Sequence, residues 1–428
     1  MRNYESLLSV RPAVIEVRSL EEIPRALIQA RIALDLSQKA LAERMGLKEQ
    51  QVQRYEATDY STATLTRLIE VANALGVRIS ESVFLPQAKL TKSALIERLG
   101  ASGISYEFLA EKLLPADIVD ALEELSDDGE SVAIVEASKI LRGIYGWEIN
   151  DLCGVHELQF PSAATATARF KIPAGQRGKS LSGYVVYANY LALVVANAST
   201  NLNRVPLPDN PSLVRSTLLK RGPEIDLRAV LEFLWESGIP VLPLSDAGNF
   251  HGACWRVGGR NVIVAKQRSP YASRWAFDLL HEFHHACQNP SDSTHSWIEG
   301  SDLASLGRVS LEEQEANRFA GEVLLDGRAE ELVEQCVELA RGNIRNLKAA
   351  VPEVAQREGV ATDHLANYMA YRLSLQKENW WGTAAKLQQT SENPFELACQ
   401  IFLERFNFGQ INSLDARILQ RAIATDEN

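Results

Sequence analysis

LLHEFHHACQ, Leu279–Gln288, sets three histidines and a glutamate within five positions. Its reading turns on helical projection. On an α-helix, residues four apart stand one above the other, about 40° apart around the axis. His281 and His285 therefore point the same way and can grip one ion. Glu282 falls about 100° from His281 on the His285 side, within reach of a water on that ion but off the ligand line. His284 falls about 60° to the other side, a poorer partner. This is the geometric content of HExxH: two neutral imidazoles as ligands and a glutamate as general base. Ala276, Leu279, Leu280, Phe283 and Cys287 recur at helical spacing. The helix can thus dock an apolar face on a core and turn its ligands to a cleft.

A catalytic zinc needs a third protein ligand. The metzincin continuation would place Gly and His where Gln288 and Ser291 stand. A glutamate from a second helix is the alternative. SLEEQEANRFAGEVLL, Ser310–Leu325, offers Glu312, Glu313 and Glu315. Glu313 and Asn317 are four apart and share a face, so one helix can bring both a carboxylate ligand and an amide that fixes the His281 tautomer.

FDLLHEFHHA followed by EQEANRFAGEVLL resembles the ImmA/IrrE family of metallopeptidases, whose pattern is HExxH and then Glu-x-x-Ala-Asn-x-Phe-Ala. The resemblance covers roughly Asp226 to Leu325. It implies a zincin-like (gluzincin HExxH) domain with His281, His285 and Glu313 as zinc ligands and Glu282 as catalytic base. Glu313 is preferred to its neighbours because it stands three before Ala316, as the family pattern requires. The family usually has glycine where this chain has His284. The implied chemistry is metal-assisted amide hydrolysis, for which Tyr271, His251 and His295 are candidate oxyanion donors. Zinc is the implied cofactor, and manganese also suits a His₂Glu set.

Far upstream, LSQKALAERMGLKEQQVQRYE, Leu36–Glu56, carries different information. Ser37 is a candidate N-cap and Gly46 ends the first helix. Leu41, Ala42, Leu47, Val52 and Tyr55 are spaced to pack two helices across the turn. The segment from about Ile23 to Ser80 resembles the Xre or lambda-repressor-like family, where Ser-Gln opens the second helix and Glu ends the recognition helix. The implied partner is a double-stranded DNA operator. Lys48, Glu49, Gln50, Gln51, Gln53 and Arg54 are the exposed positions of the third helix. Gln50 and Gln51 suit adenine, and Arg54 suits guanine or phosphate. Gln38, Lys39 and Arg44 are candidate phosphate contacts. The net charge of −11 excludes a chain basic all over. The segment itself holds eight Lys and Arg against six Asp and Glu, a surplus of two, while the remainder carries −13.

Around these motifs the 428 residues divide into an N-terminal extension (1–22), a helix-turn-helix DNA-binding domain (23–80), a helical connector (81–150), a β-containing middle segment (151–215), a peptidase core (216–330) and a helical C-terminal region (331–428). The fold class is multidomain, mainly α with an α+β peptidase core. In the middle segment, ATATARFKI and SGYVVYANYLALVVANA are rich in β-branched and aromatic residues and predict strands, though YANYLALVVANA suits a helix equally. GACWRV and NVIVAKQ around VGGRN predict a hairpin. VAQREGVATDHLANYMAYRL, Val354–Leu373, can be laid on the first helix-turn-helix, with Gly359 at the place of Gly46 and Leu365 at that of Val52. Its third helix offers Thr362, Asp363, His364 and Asn367, poor in base-reading cations, so a packing element is the preferred reading.

The five cysteines are scattered with no CxxC pair, which suits free thiols in a reducing compartment. The charged start has no signal-peptide h-region, and the most apolar run, YLALVVANA, is too short to span a bilayer. These features predict a cytoplasmic protein with no membrane partner. Together the motifs predict a transcriptional regulator fused to a zinc-dependent metalloendopeptidase that cleaves a regulatory protein, a separate repressor or the chain itself. The alternative is a non-catalytic DNA-binding regulator with a structural or sensory metal site. A homodimer is a further candidate assembly.

Overall fold

A computed structural model describes residues 15, 17, 20–79, 91–126, 132–154, 156–160, 176–244, 250–267, 269–300, 311–389 and 392–424. The chain divides into two compact units, Met1–Lys89 and Leu90–Asn428.

The first unit is built from α1 (Ile23–Ala33), α2 (Gln38–Met45), α3 (Glu49–Ala57) and α4 (Leu65–Leu75). Local chemistry sets the ends. The Ser37 hydroxyl accepts the Ala40 N–H at 3.0 Å, and the Thr64 hydroxyl accepts that of Arg67 at 3.3 Å. Gly46 takes φ +66°, which lets the chain leave α2 and enter α3 within a short turn. Leu27, Leu41, Ala42, Val52 and Val71 fill the core, with Leu47 and Tyr55 half-buried at its edge. Across this core runs a buried ion pair. Arg31 meets Glu56 through two hydrogen bonds of 2.6 and 2.8 Å, and Gln38 Nε2 donates to the same carboxylate at 2.8 Å. One carboxylate at the end of α3 thus holds α1 and α2.

The second unit has one continuous apolar core, with members from Leu95 to Ile423. Its helices are α5 (Lys92–Ala101), α6 (Ala116–Glu123), α7 (Val132–Tyr145), α8 (Gln176–Ala198), α9 (Pro211–Leu218), α10 (Leu227–Glu236), α11 (Ala272–Cys287), α12 (Leu311–Leu324), α13 (Ala329–Leu339), α14 (Leu347–Glu358), α15 (Thr362–Ser374), α16 (Pro394–Arg405) and α17 (Ser413–Ile423), with shorter helical turns between. Strands β1 (Val241–Pro243), β2 (Phe250–Val257), β3 (Arg260–Ala265) and β4 (His295–Gly300) form one sheet in the order β1-β3-β2-β4. β1 runs parallel to β3, and the other pairs are antiparallel. The hairpin expected around VGGRN is present. Val257 pairs with Arg260, and Gly258 and Gly259 take φ +53° and +74°, as a two-residue primed turn demands.

Strand alternation sorts the sheet into layers. Gly252, Cys254 and Arg256 of β2 share the face against which α11 packs. Ala253, Trp255, Val262 and Val264, all buried, take the other face, where α8 packs on β2 and β3. Lys266 Nζ lies 3.9 Å from the centroid of the Tyr184 ring on that side.

The strand reading of SGYVVYANYLALVVANA is overturned and the helical alternative for YANYLALVVANA holds: residues 176–198 form α8. Nearly every residue from Leu181 to Ala198 is buried. A helix that is apolar all round shows no clean 3.6-residue stripe, and its β-branched and aromatic content then imitates a strand. ATATARFKI lies outside the described residues. By length and composition the stretch Lys179–Ala198 could cross a membrane, contrary to the expectation from YLALVVANA, but most of it is buried inside the unit. The second helix-turn-helix shape is real as a shape. α14 ends at Gly359 with φ +66°, and α15 follows. Residues His364 to Tyr371 of α15 are all buried, so this helix has no face to offer DNA and serves as packing.

Candidate metal centre

His281 and His285 stand in the last two turns of α11, each only 2% exposed. Glu313 is the third residue of α12, which packs against α11. The two Nε2 atoms are 3.1 Å apart. His281 Nε2 lies 3.1 Å from one Glu313 oxygen, and His285 Nε2 lies 3.5 Å from the other. Ligands about 2.0–2.2 Å from a tetrahedral zinc are about 3.3 Å from one another. The three side chains converge closely enough to share one ion, with one ligand atom from each lying within 4.8 Å of the others. They are the one group of three or more His, Cys, Asp or Glu with metal-ligand spacing among the described residues. Burial pushes the Glu313 carboxyl up, but hydrogen bonds and charge attraction from His281 and His285 outweigh it and hold the group well below the usual carboxylate range.

Glu282 is 2% exposed and faces β2 at Gly252, where a Cβ would come within 2.5 Å of its Oε1. Sequence reasoning missed Gly252. Its signal was a glycine inside a strand, which often marks a close approach. Cys254, two residues on and on the same face, is pushed well above the usual thiol range by burial and then by the Glu282 charge.

The remaining expectations fare unevenly. Asn317 does lie on the Glu313 face, but its Nδ2 donates to the Glu313 main-chain carbonyl at 2.7 Å, an i−4 bond within its own helix. His284 points away from the ligand set. Its ring packs on Phe319 at 5.0 Å between centroids and its Nε2 lies 3.2 Å from Gln288 Nε2. Burial first, then the His285 and His281 charges, push it down to about 4, with Asp209 opposing. Tyr271 caps the start of α11, about 15 Å of helix rise before His281, too far to meet a substrate oxyanion. The side chains of His251 and His295 lie outside the described residues.

In the first unit, Lys39, Arg44, Lys48, Gln50, Gln53 and Arg54 are exposed. Gln53 Nε2 reaches Glu49 at 3.1 Å and Arg44 Nη1 reaches the Ala74 carbonyl at 3.1 Å. Two further expected contacts are less exposed and also engaged internally. Gln51 Oε1 accepts the Lys48 N–H at 3.0 Å and so closes the start of its own helix. Gln38 is held by Glu56.

Two family models match this chain. Helix-turn-helix matches residues 27–82, and IrrE N-terminal-like domain matches residues 237–378. The second match takes in the sheet, α11, α12 and the helices through α15. No curated relative and no solved structure matches. The chain therefore joins an Xre-like helix-turn-helix domain to an ImmA/IrrE-like peptidase domain. It pairs a DNA-binding module with a metallopeptidase-type enzyme.

Proposed function

We propose that this protein is a cytoplasmic transcriptional regulator whose second unit is a zinc endopeptidase that hydrolyses a peptide bond in a regulatory protein, a separate repressor or the chain itself. The observation that carries the reading is the convergence of His281, His285 and Glu313 on one point, with ligand atoms within 4.8 Å of one another and buried Glu282 beside them. Two neutral nitrogens and one carboxylate are the donor set of a catalytic zinc with an open position. Zinc, or manganese in its place, would polarise the scissile carbonyl and acidify a water. Glu282 would serve as the general base, positioned to take a proton from the attacking water and pass it to the leaving amine. Gly252 leaves the volume in which the carboxylate stands.

The operator is met by α3. Gln50 and Arg54 address base edges, with Gln51 and Gln53 beside them, and Lys39, Arg44 and Lys48 meet phosphates, with Gln38 at the start of α2. The five thiols are free, as a reducing cytoplasm allows.

Metal analysis of the purified chain, paired with cleavage of a panel of repressor-like and unfolded proteins, tests the reading. We expect one zinc per chain and cleavage of a narrow set. Metal without turnover on any partner would favour a sensory site, and general digestion of unfolded chains would make it a degradative enzyme.

A further inference from the structure

The β2 strand that makes room for Glu282 touches α11 a second time. Arg256, four residues on and on the same face, is 5% exposed. Its Nη2 donates to the carbonyls of Ala286 and Gln288 at 2.7 and 2.9 Å, and its Nη1 donates to that of Asn289. Its Nε donates to Asn261 Oδ1 at 2.8 Å, and Asn261 Nδ2 donates to the Ala286 carbonyl at 3.0 Å. Arg256 and Asn261 are cross-strand partners in the hairpin. Together they gather the carbonyls that a helix leaves open at its C-terminus, and they place a positive charge on its negative end.

We propose that Arg256, supported by Asn261, is the positioning residue of this centre: it fixes the last turn of α11 and thereby the direction of His285 and the tilt of His281. The bonds from Arg256 and Asn261 tie the C-terminal end of α11, just past His285, to the β2–β3 hairpin. The inference rests on the trio being a metal site. Arg215 of α9 supplies an internal contrast. It donates to the carbonyls of Val323 and Leu324 at 2.8 and 3.1 Å at the end of α12, a similar clamp but ten residues from Glu313.

The test compares the full chain with Arg256→Met, Arg256→Lys, Asn261→Ala and Arg215→Met, each first checked for folding by circular dichroism. In the metal-free chain, amide exchange across Phe283–Gln288 should rise about tenfold or more in Arg256→Met and stay unchanged across residues 273–280. Zinc Kd should weaken by about 10–100-fold, as loss of an outer partner of a ligand does. Arg256→Lys, a cation without the planar fork, should fall between. Asn261→Ala should show the same changes more mildly, and it carries the test if Arg256→Met does not fold. Arg215→Met should leave zinc Kd within about threefold, because outer-partner effects act on the ligands they touch. Wild-type exchange and Kd in both Arg256→Met and Asn261→Ala, or equal weakening by Arg215→Met, would overturn the proposal. A wild-type chain that takes up no zinc would instead sink the metal reading, and the exchange data would still decide the clamp.

Discussion

Glu282 occupies the space that a side chain at position 252 would need: a Cβ on Gly252 would lie 2.5 Å from its Oε1 and 3.2 Å from its Cδ. The obstruction is the tip of a flexible side chain, so the fold can absorb alanine there by moving the carboxylate. That movement is what catalysis cannot absorb, because a general base must stand within hydrogen-bond reach of its proton. Gly252→Ala should keep its metal and its folding midpoint while losing roughly 10²-fold or more in peptidase rate, the usual size of a general-base contribution. Full turnover in a zinc-loaded Gly252→Ala chain would show that Glu282 does not act from this position.

Zinc should stabilise the second unit by mass action. At about one hundred times Kd the gain is about 2.7 kcal/mol, visible as a higher Tm. His285→Ala and Glu313→Ala, each missing one vertex, should show neither the shift nor stoichiometric metal. An equal shift in these variants would move the ion elsewhere.

The Arg31–Glu56 pair lies with both side chains nearly fully buried, at 8% and 5% exposure. Removing one partner strands the other charge, and such losses run to about 3 kcal/mol or more. Arg31→Met should reduce the first unit's unfolding free energy by about that amount, lowering its melting transition, and weaken DNA binding, with zinc content unchanged. Arg31→Met combined with Glu56→Leu should recover most of the loss, since an apolar pair leaves no stranded charge. Calorimetry of the full chain reads both.

On DNA, Arg54→Ala should cost about 1–3 kcal/mol on the preferred operator and relax choice at one base pair, if Arg54 reads a base edge. Lys39→Ala should weaken all sequences alike and reduce the salt slope by about one. Anisotropy titrations at several salt concentrations separate the two. A uniform loss in both variants would place Arg54 on phosphate.

What could be read in the sequence was what depends on neighbours in the chain. His281 and His285 are brought together by helix pitch alone, Ser37 and Gly46 mark helix ends by local hydrogen bonding and backbone freedom, and Gly258–Gly259 can only be a tight turn. Glu313 stood out through its family pattern, since nothing local separates it from Glu312 and Glu315. What was hidden depends on distant partners. Arg256 looks like an ordinary strand residue until the carbonyls some thirty positions later close on it. Gly252 says only that something comes near. α8 stayed undecided between strand and helix because burial on nearly every side removed the contrast that a periodicity needs. Asn317 lay on the predicted face yet turned to its own helix, a choice that sequence spacing does not register.

The central claim is that one chain couples Glu282-dependent proteolysis to control at an operator. The most direct measurement compares protein fragments and chromatin footprints between cells carrying wild type and Glu282→Gln, with metal content checked in both purified proteins. We predict a protein cleaved in wild type and intact in Glu282→Gln, with the same footprint and the same bound metal in each. A metal-loaded Glu282→Gln protein that leaves the fragment pattern and the regulated transcripts as wild type does would contradict the account.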